Sequence, residues 1–179
     1  MISDFFLAVL LSIIQGLTEF LPISSSAHLL LPSLLFGAKD FGIVFDISVH
    51  AGTLAAVIYY FKKEIQGLLQ AWNPWSKTRN TENFSLGLNL IVATLPIVLV
   101  GLLASDLAES RSANIDSIAW ANLVFAGLLY AAFKSSSQSK SLTELTLFAA
   151  LIIGCFQAFA VFPGASRSGM AITGAFIIA

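Results

Sequence analysis

Two short stretches carry most of the polar chemistry of an otherwise apolar chain. The first, QGLTEFLPISSSAH at 15–28, offers a carboxylate, a hydroxyl cluster and an imidazole. Gln15 and Glu19 are four residues apart, so a helix puts both on one face. Pro22 ends that helix, and Ser24, Ser25 and Ser26 open a returning one. The first amides of a helix lack internal partners and form a ready anion site. His28 shares nearly the same face as Ser25. That pairing suits nucleophilic attack by Ser25, with His28 taking the hydroxyl proton; direct attack by His28 is the competing assignment. The second stretch, PGASRSG at 163–169, supplies positive charge. Arg167 presents a planar fork of donors that matches phosphate oxygens. Ser166, Ser168 and Gly169 surround it with small side chains and amides. The expected site is therefore phosphoryl-directed. Glu19, Ser25, His28 and Arg167 are its catalytic candidates, and Gln15, Ser24, Ser26, Ser166, Ser168 and Gly169 its substrate contacts.

Asp46 and His50, in FDISVHAG, lie one helical turn apart near the end of an apolar run. They read as interfacial side chains, since their spacing completes none of the usual closed metal sets. A divalent cation such as Mg or Ca is compatible with Glu19, but no pattern names it. No glycine-rich nucleotide fingerprint is present.

These residues need a scaffold that tolerates them in a chain that is 57% hydrophobic and 11% charged. Soluble domains carry about 25% charged residues, so this composition excludes an ordinary water-facing surface. A net charge of −1 gives no electrostatic footprint for nucleic acid. Cys155 is the sole cysteine, which excludes an intrachain disulfide; it reads as packed within a helix. The opening MISD has no basic residue and does not resemble a cleavable signal.

Continuous apolar runs predict helices rather than barrel strands. Segments 41–61, 84–104 and 117–133 are long enough to cross a bilayer, and Pro96 is a possible kink in the second. Lys62, Lys63, Lys77 and Arg79 make the loop 62–83 basic, and Lys134 and Lys140 follow the third span. Asp106, Glu109, Arg111 and Asp116 mark the loop between. The positive-inside rule puts 62–83 and 134–141 in the cytoplasm and 105–116 outside. Trp72, Trp75 and Trp120 read as interface anchors.

Segments 5–35 and 145–169 behave differently, because each breaks after a short apolar arm. Backbone of that kind at membrane depth must be buried in protein or line a polar cavity. Both breaks run from Gln through Phe to Pro and a small-hydroxyl cluster, and the loop charges make them enter from opposite sides. The expected fold is an all-α polytopic membrane protein with inverted-topology repeats and re-entrant hairpins. Residues 1–133 form the first repeat, with its re-entrant segment at 5–35, and 142–179 begin the second. Completing that repeat takes on the order of ninety further residues, so the sequence is expected to be a fragment, inactive alone. Two functions fit: a membrane phosphatase acting on an amphiphilic phosphate, or a secondary transporter with an anion site. A nucleophile beside a base favours the phosphatase, because a carrier needs none.

At these residues the sequence resembles the undecaprenyl-diphosphatase family of the bacitracin-resistance type. The matching pieces are Gln15-xxx-Glu19 with EFLPISSSAH (19–28), FDISVHAGTLAAV (45–57) and GCFQAFAVFPGASRSG (154–169), within a likeness along essentially the whole chain. The resemblance implies an integral membrane hydrolase of the bacterial inner membrane, its site open to the periplasmic side. It would convert undecaprenyl diphosphate to undecaprenyl phosphate and phosphate, recycling the lipid carrier of peptidoglycan synthesis and conferring bacitracin resistance. The implied partners are a polyprenyl diphosphate and membrane lipid, and a homodimer is compatible with it. The family's serine, histidine and arginine fall on Ser25, His28 and Arg167, and Gln15 stands where it has Glu or Gln. Two positions depart from the pattern. Ala27 replaces the frequent Gly before the histidine, and Ala171 stands where a Thr usually follows SRSG. Thr173, two residues on, cannot inherit that role in a helix.

Overall fold

A computed structural model describes residues 3–73, 75, 80–104, 115–137, 144–162 and 164–178. Every regular element among them is helical: α1 (Asp4–Thr18), α2 (Ser25–Phe36), α3 (Gly42–Tyr60), α4 (Lys62–Trp72), α5 (Thr81–Leu103), α6 (Ile115–Ser135), α7 (Leu147–Ala158) and α8 (Arg167–Ile178). A 3-10 turn, Phe159–Val161, follows α7. Length divides them. At 19, 23 and 21 residues, α3, α5 and α6 run roughly 28–35 Å, enough for a hydrocarbon core of about 30 Å. At most 11% of the apolar window of any of the three is buried in protein. Apolar surface on that scale is not left to water, so the chain is a polytopic membrane protein.

Three other apolar helices are too short to cross: α1 has 15 residues and α2 and α7 have 12 each, or about 18–22 Å. Of α8, the 12 residues Arg167–Ile178 are described. These helices pair off as hairpins, α1 with α2 and α7 with α8. Local chemistry fixes the first turn-round. α1 ends before Glu19 and Pro22, and Ser24 caps α2 by accepting the Ala27 amide at 3.4 Å. α2 closes at Gly37, whose φ of 62° is the left-handed conformation that suits glycine. Lys39 then pairs with Asp4, bringing the two outer ends of this hairpin together.

The hairpins are held by close helix approach. α7 lies along α5, and α8 packs on α6 and α7. At Gly154 a β-carbon would stand 2.6 Å from the Ala93 carbonyl and 2.9 Å from the Pro96 ring. At Gly164, with φ of 98°, it would stand 2.8 Å from the Ile118 carbonyl. Asn89, buried in α5, donates to the Leu145 carbonyl at 2.8 Å and anchors the approach to α7. α1 and α2 are tied to α3 by a small cluster of Leu7, Leu11 and Leu29 with Phe41, Phe45 and Val49.

The three expected spans correspond to α3, α5 and α6, and α5 continues through Pro96. Within the expected loop 62–83, however, the first part is α4. Ile65, Leu68, Leu69 and Trp72 recur at helical spacing there, and the Trp72 ring stacks on Phe84 at 4.9 Å. Cys155 belongs to α7 but is exposed rather than packed. Lys77, Arg79, Asp106, Glu109, Arg111, Lys140 and Pro163 lie outside the described residues.

Backbone faces Gly154, so a side chain there has little room to shift. Gly154→Val is expected to destabilise the protein by about 1–3 kcal/mol, read as a lower thermal midpoint in detergent. Gly127→Ala, with open space around it, should leave the midpoint unchanged or slightly raised. Equal midpoints for Gly154→Val and wild type would rule out this helix contact.

Candidate active site

One carboxylate oxygen organises the first hairpin. Glu19 sits at the end of α1, where its amide still donates to the Gln15 carbonyl at 3.0 Å. Its Oε2 accepts from Gln15 Nε2 at 2.7 Å and from the Ser25 hydroxyl at 2.8 Å. Gln15 is fully buried, and its Oε1 has no partner among the described residues. A buried orphan of that kind costs about 1–3 kcal/mol, which the fold tolerates to aim the amide donor at Glu19.

The second hairpin brings a matching helix start. Met170 N–H bonds the Ser166 carbonyl at 2.8 Å, and Gly169 N–H bonds Ser166 Oγ at 3.1 Å, so Ser166 caps α8. Ser168 Oγ donates to the Leu21 carbonyl at 2.7 Å. A carbonyl only accepts, so the Ser168 proton is committed there and the 3.0 Å contact between the hydroxyls has Ser166 as donor. The chain Gly169–Ser166–Ser168–Leu21 thus joins one helix break to the other.

Both helix starts face one polar cavity of about 280 Å³. Ser24, Ser25 and Ser26 line one side, Ser166, Arg167 and Ser168 the other, with Glu19, His50 and Gln157 between. No described hydrogen bond takes up the amides of Ser25, Ser26, Arg167 or Ser168. Nor does any described hydrogen bond or ion pair hold the exposed Arg167 guanidinium. Two helix N-termini and an arginine fork with no described partner are groups that suit an anion, and they lie beside a hydroxyl held by a carboxylate. A second, more apolar cleft of about 570 Å³ continues from it along Ile47, Ala51, Leu54 and Val57 of α3.

Several expected roles change. His28 does not meet the Ser25 hydroxyl and does not line the polar cavity; its Nδ1 folds back to the Ser24 carbonyl at 2.7 Å. Helical side chains lean toward the preceding turn, which makes that carbonyl the nearest partner. Glu19 takes the place expected of His28 beside Ser25. Gly169 has its amide occupied by Ser166, and its missing side chain lets the Pro22 carbonyl approach. Its amide is thus already partnered in this structure, and its position is one of close packing. Ser24 lines the cavity but spends its hydroxyl as a cap. Ala171 faces the cavity, whereas Thr173 is buried and donates to the Gly169 carbonyl at 2.7 Å. His50 and Gln157 were missed as site residues. An ionisable group within a spanning helix, and a Gln matching Gln15 before the second break, were the available signals. No three His, Cys, Asp or Glu side chains converge among the described residues, so a divalent ion here would draw most of its shell from water, backbone or substrate oxygens.

Residues 8–179 match the family described as bacitracin resistance protein BacA. The chain belongs to the BacA family. It is 49% identical over 175 residues to an undecaprenyl-diphosphatase of Saccharophagus degradans, covering 98% of this chain and 66% of that protein. An undecaprenyl-diphosphatase of Teredinibacter turnerae is 46% identical over 176 residues, covering 98% and 67%. The undecaprenyl-diphosphatase 1 of Pseudoalteromonas translucida is 44% identical over 166 residues, covering 92% and 62%. The chain therefore spans about two thirds of the length of the curated BacA relatives it matches.

Arg167→Lys keeps the charge but loses the planar fork. In the whole protein, at the length of its relatives, it is expected to weaken binding of inorganic diphosphate about tenfold or more by calorimetry, with folding retained. Unchanged affinity would assign Arg167 to anchoring instead.

Proposed function

We propose that the protein is an undecaprenyl-diphosphate phosphatase, converting undecaprenyl diphosphate to undecaprenyl phosphate and inorganic phosphate. The observation that carries this reading is the Ser25 hydroxyl 2.8 Å from the Glu19 carboxylate, in a cavity shared with Arg167. A nucleophile, an acceptor for its proton and an anion-binding fork are what phosphoryl transfer requires. The names of the BacA relatives supply the substrate.

In the proposed reaction, Ser25 Oγ attacks the terminal phosphorus and its proton passes to Glu19. The bridging P–O bond breaks, and undecaprenyl phosphate leaves with the electron pair. Water then attacks the phosphoserine; Glu19 returns its proton to Ser25 Oγ as that P–O bond breaks, and the oxygen and both hydrogens of the water leave with inorganic phosphate. Arg167 and the first-turn amides of α2 and α8 neutralise the oxygens of the transferring group, most usefully as charge shifts in the transition state. The polyprenyl tail stays in lipid.

The architecture belonging to this reading is a pair of inverted repeats, 1–133 and a second beginning at 142, whose re-entrant hairpins α1–α2 and α7–α8 meet at the site. The site opens to the periplasmic side of the inner membrane. Its product re-enters peptidoglycan synthesis, and turnover of the diphosphate that bacitracin sequesters gives resistance.

Rapid quenching of the whole protein with substrate labelled in the terminal phosphate tests the assignment. Acid-stable label on Ser25 is expected, with Ser25→Ala at least about a thousandfold slower and unlabelled. Acid-labile label that persists in Ser25→Ala and disappears in His28→Ala would move the nucleophile to His28. Phosphate release in detergent separates the enzyme from a carrier, whose transport needs a sealed bilayer.

A further inference from the structure

His50 stands about 12 Å along α3, at the wall common to the polar cavity and the apolar cleft. Glu19, Phe20 and Arg167 share that wall. His50 Nδ1 lies 2.7 Å from the Asp46 carbonyl oxygen. That oxygen has no proton to give, so Nδ1 is the donor and the ring is fixed in one orientation. Nε2 then faces Glu19 Oε2 at 3.5 Å, and because Nδ1 already carries a hydrogen, Nε2 donates to that oxygen only from the protonated ring, in which both nitrogens carry one. His28 has the same Nδ1 lock on its own helix, at Ser24, yet no described ion pair joins its ring to Glu19.

One oxygen is therefore met from three helices: by Gln15 of α1, Ser25 of α2 and His50 of α3. Gln15 lies one turn from Glu19 in the same element, and Ser25 must leave during the reaction. His50 is the partner on a separate, long helix, and it takes no part in the bond changes. We propose that His50 is a positioning residue, holding the Glu19 carboxylate in the orientation that receives the Ser25 proton. It completes the arrangement in which a nucleophile meets a base and the base is oriented by a third group. The contact is longer than a hydrogen bond, and such contacts often tighten only when substrate binds. This inference rests on the proposed Ser25 chemistry.

The test compares wild type, His50→Ala and His50→Gln in the whole protein, since glutamine places an amide near the position of Nε2. Two readouts are taken: kcat and KM for polyprenyl diphosphate, and the rate at which a fluorophosphonate modifies Ser25. His50→Ala is expected to lower kcat and the labelling rate about 10- to 100-fold, with KM within about twofold, and His50→Gln to recover most of both. Unchanged Ser25 labelling in His50→Ala would overturn the inference. So would a defect confined to KM, or one that His50→Gln leaves unrepaired. The labelling arm stands apart from substrate: a wild type that hydrolyses no diphosphate, with labelling still lost in His50→Ala, would refute the activity and uphold the role of His50.

Discussion

The hydrogen bond from Ser168 to the Leu21 carbonyl links two helix breaks that are 147 residues apart. A break leaves backbone groups unpaired, and lipid cannot satisfy them. At this junction each break supplies part of what the other lacks. Leu21 offers a carbonyl freed by the turn after α1, and Ser168 offers a hydroxyl from the first turn of α8. With those groups paired, the first amides of two helices still enter no described hydrogen bond, and both helix starts line one cavity. The proposed anion site thus follows from how the breaks are closed.

Charge follows the same logic. Glu19 brings a negative charge to the cavity wall and Arg167 a positive one, yet no ion pair between them closes the site. Glu19 is engaged instead by Gln15, Ser25 and His50. Arg167 is exposed, and no described hydrogen bond or ion pair takes up its donors. A planar fork of that kind favours phosphate oxygens over a point contact. In the proposed reaction the carboxylate serves the Ser25 hydroxyl and the guanidinium serves the substrate.

Much of this was legible in the sequence because broken apolar runs are rare and costly. Glu19, Ser25 and Arg167 announced themselves as polar groups where a span should have continued. The long helices α3, α5 and α6 followed from length and hydropathy. His28 misled because i,i+3 spacing reports a shared helix face, not which acceptor a ring chooses; the carbonyl of Ser24 lies closer to it than the hydroxyl of Ser25. His50 was discounted because one sequence cannot show that α3 packs on α1 and turns that side chain toward Glu19. Gly169 looked like an anion contact until the cap formed by Ser166 consumed its amide. α4 was hidden in a charged loop, where an 11-residue amphipathic stretch takes its helicity from packing on α5.

The most direct measurement is a structure of the whole protein with a methylene-bridged polyprenyl diphosphate, which cannot be cleaved at the bridge. The account predicts the terminal phosphorus between the starts of α2 and α8, about 3–3.5 Å from Ser25 Oγ, with the Arg167 fork on its oxygens and Glu19 still bonded to Ser25. A diphosphate seated away from those helix starts, or with His28 Nε2 rather than Ser25 Oγ in line with phosphorus, would contradict it.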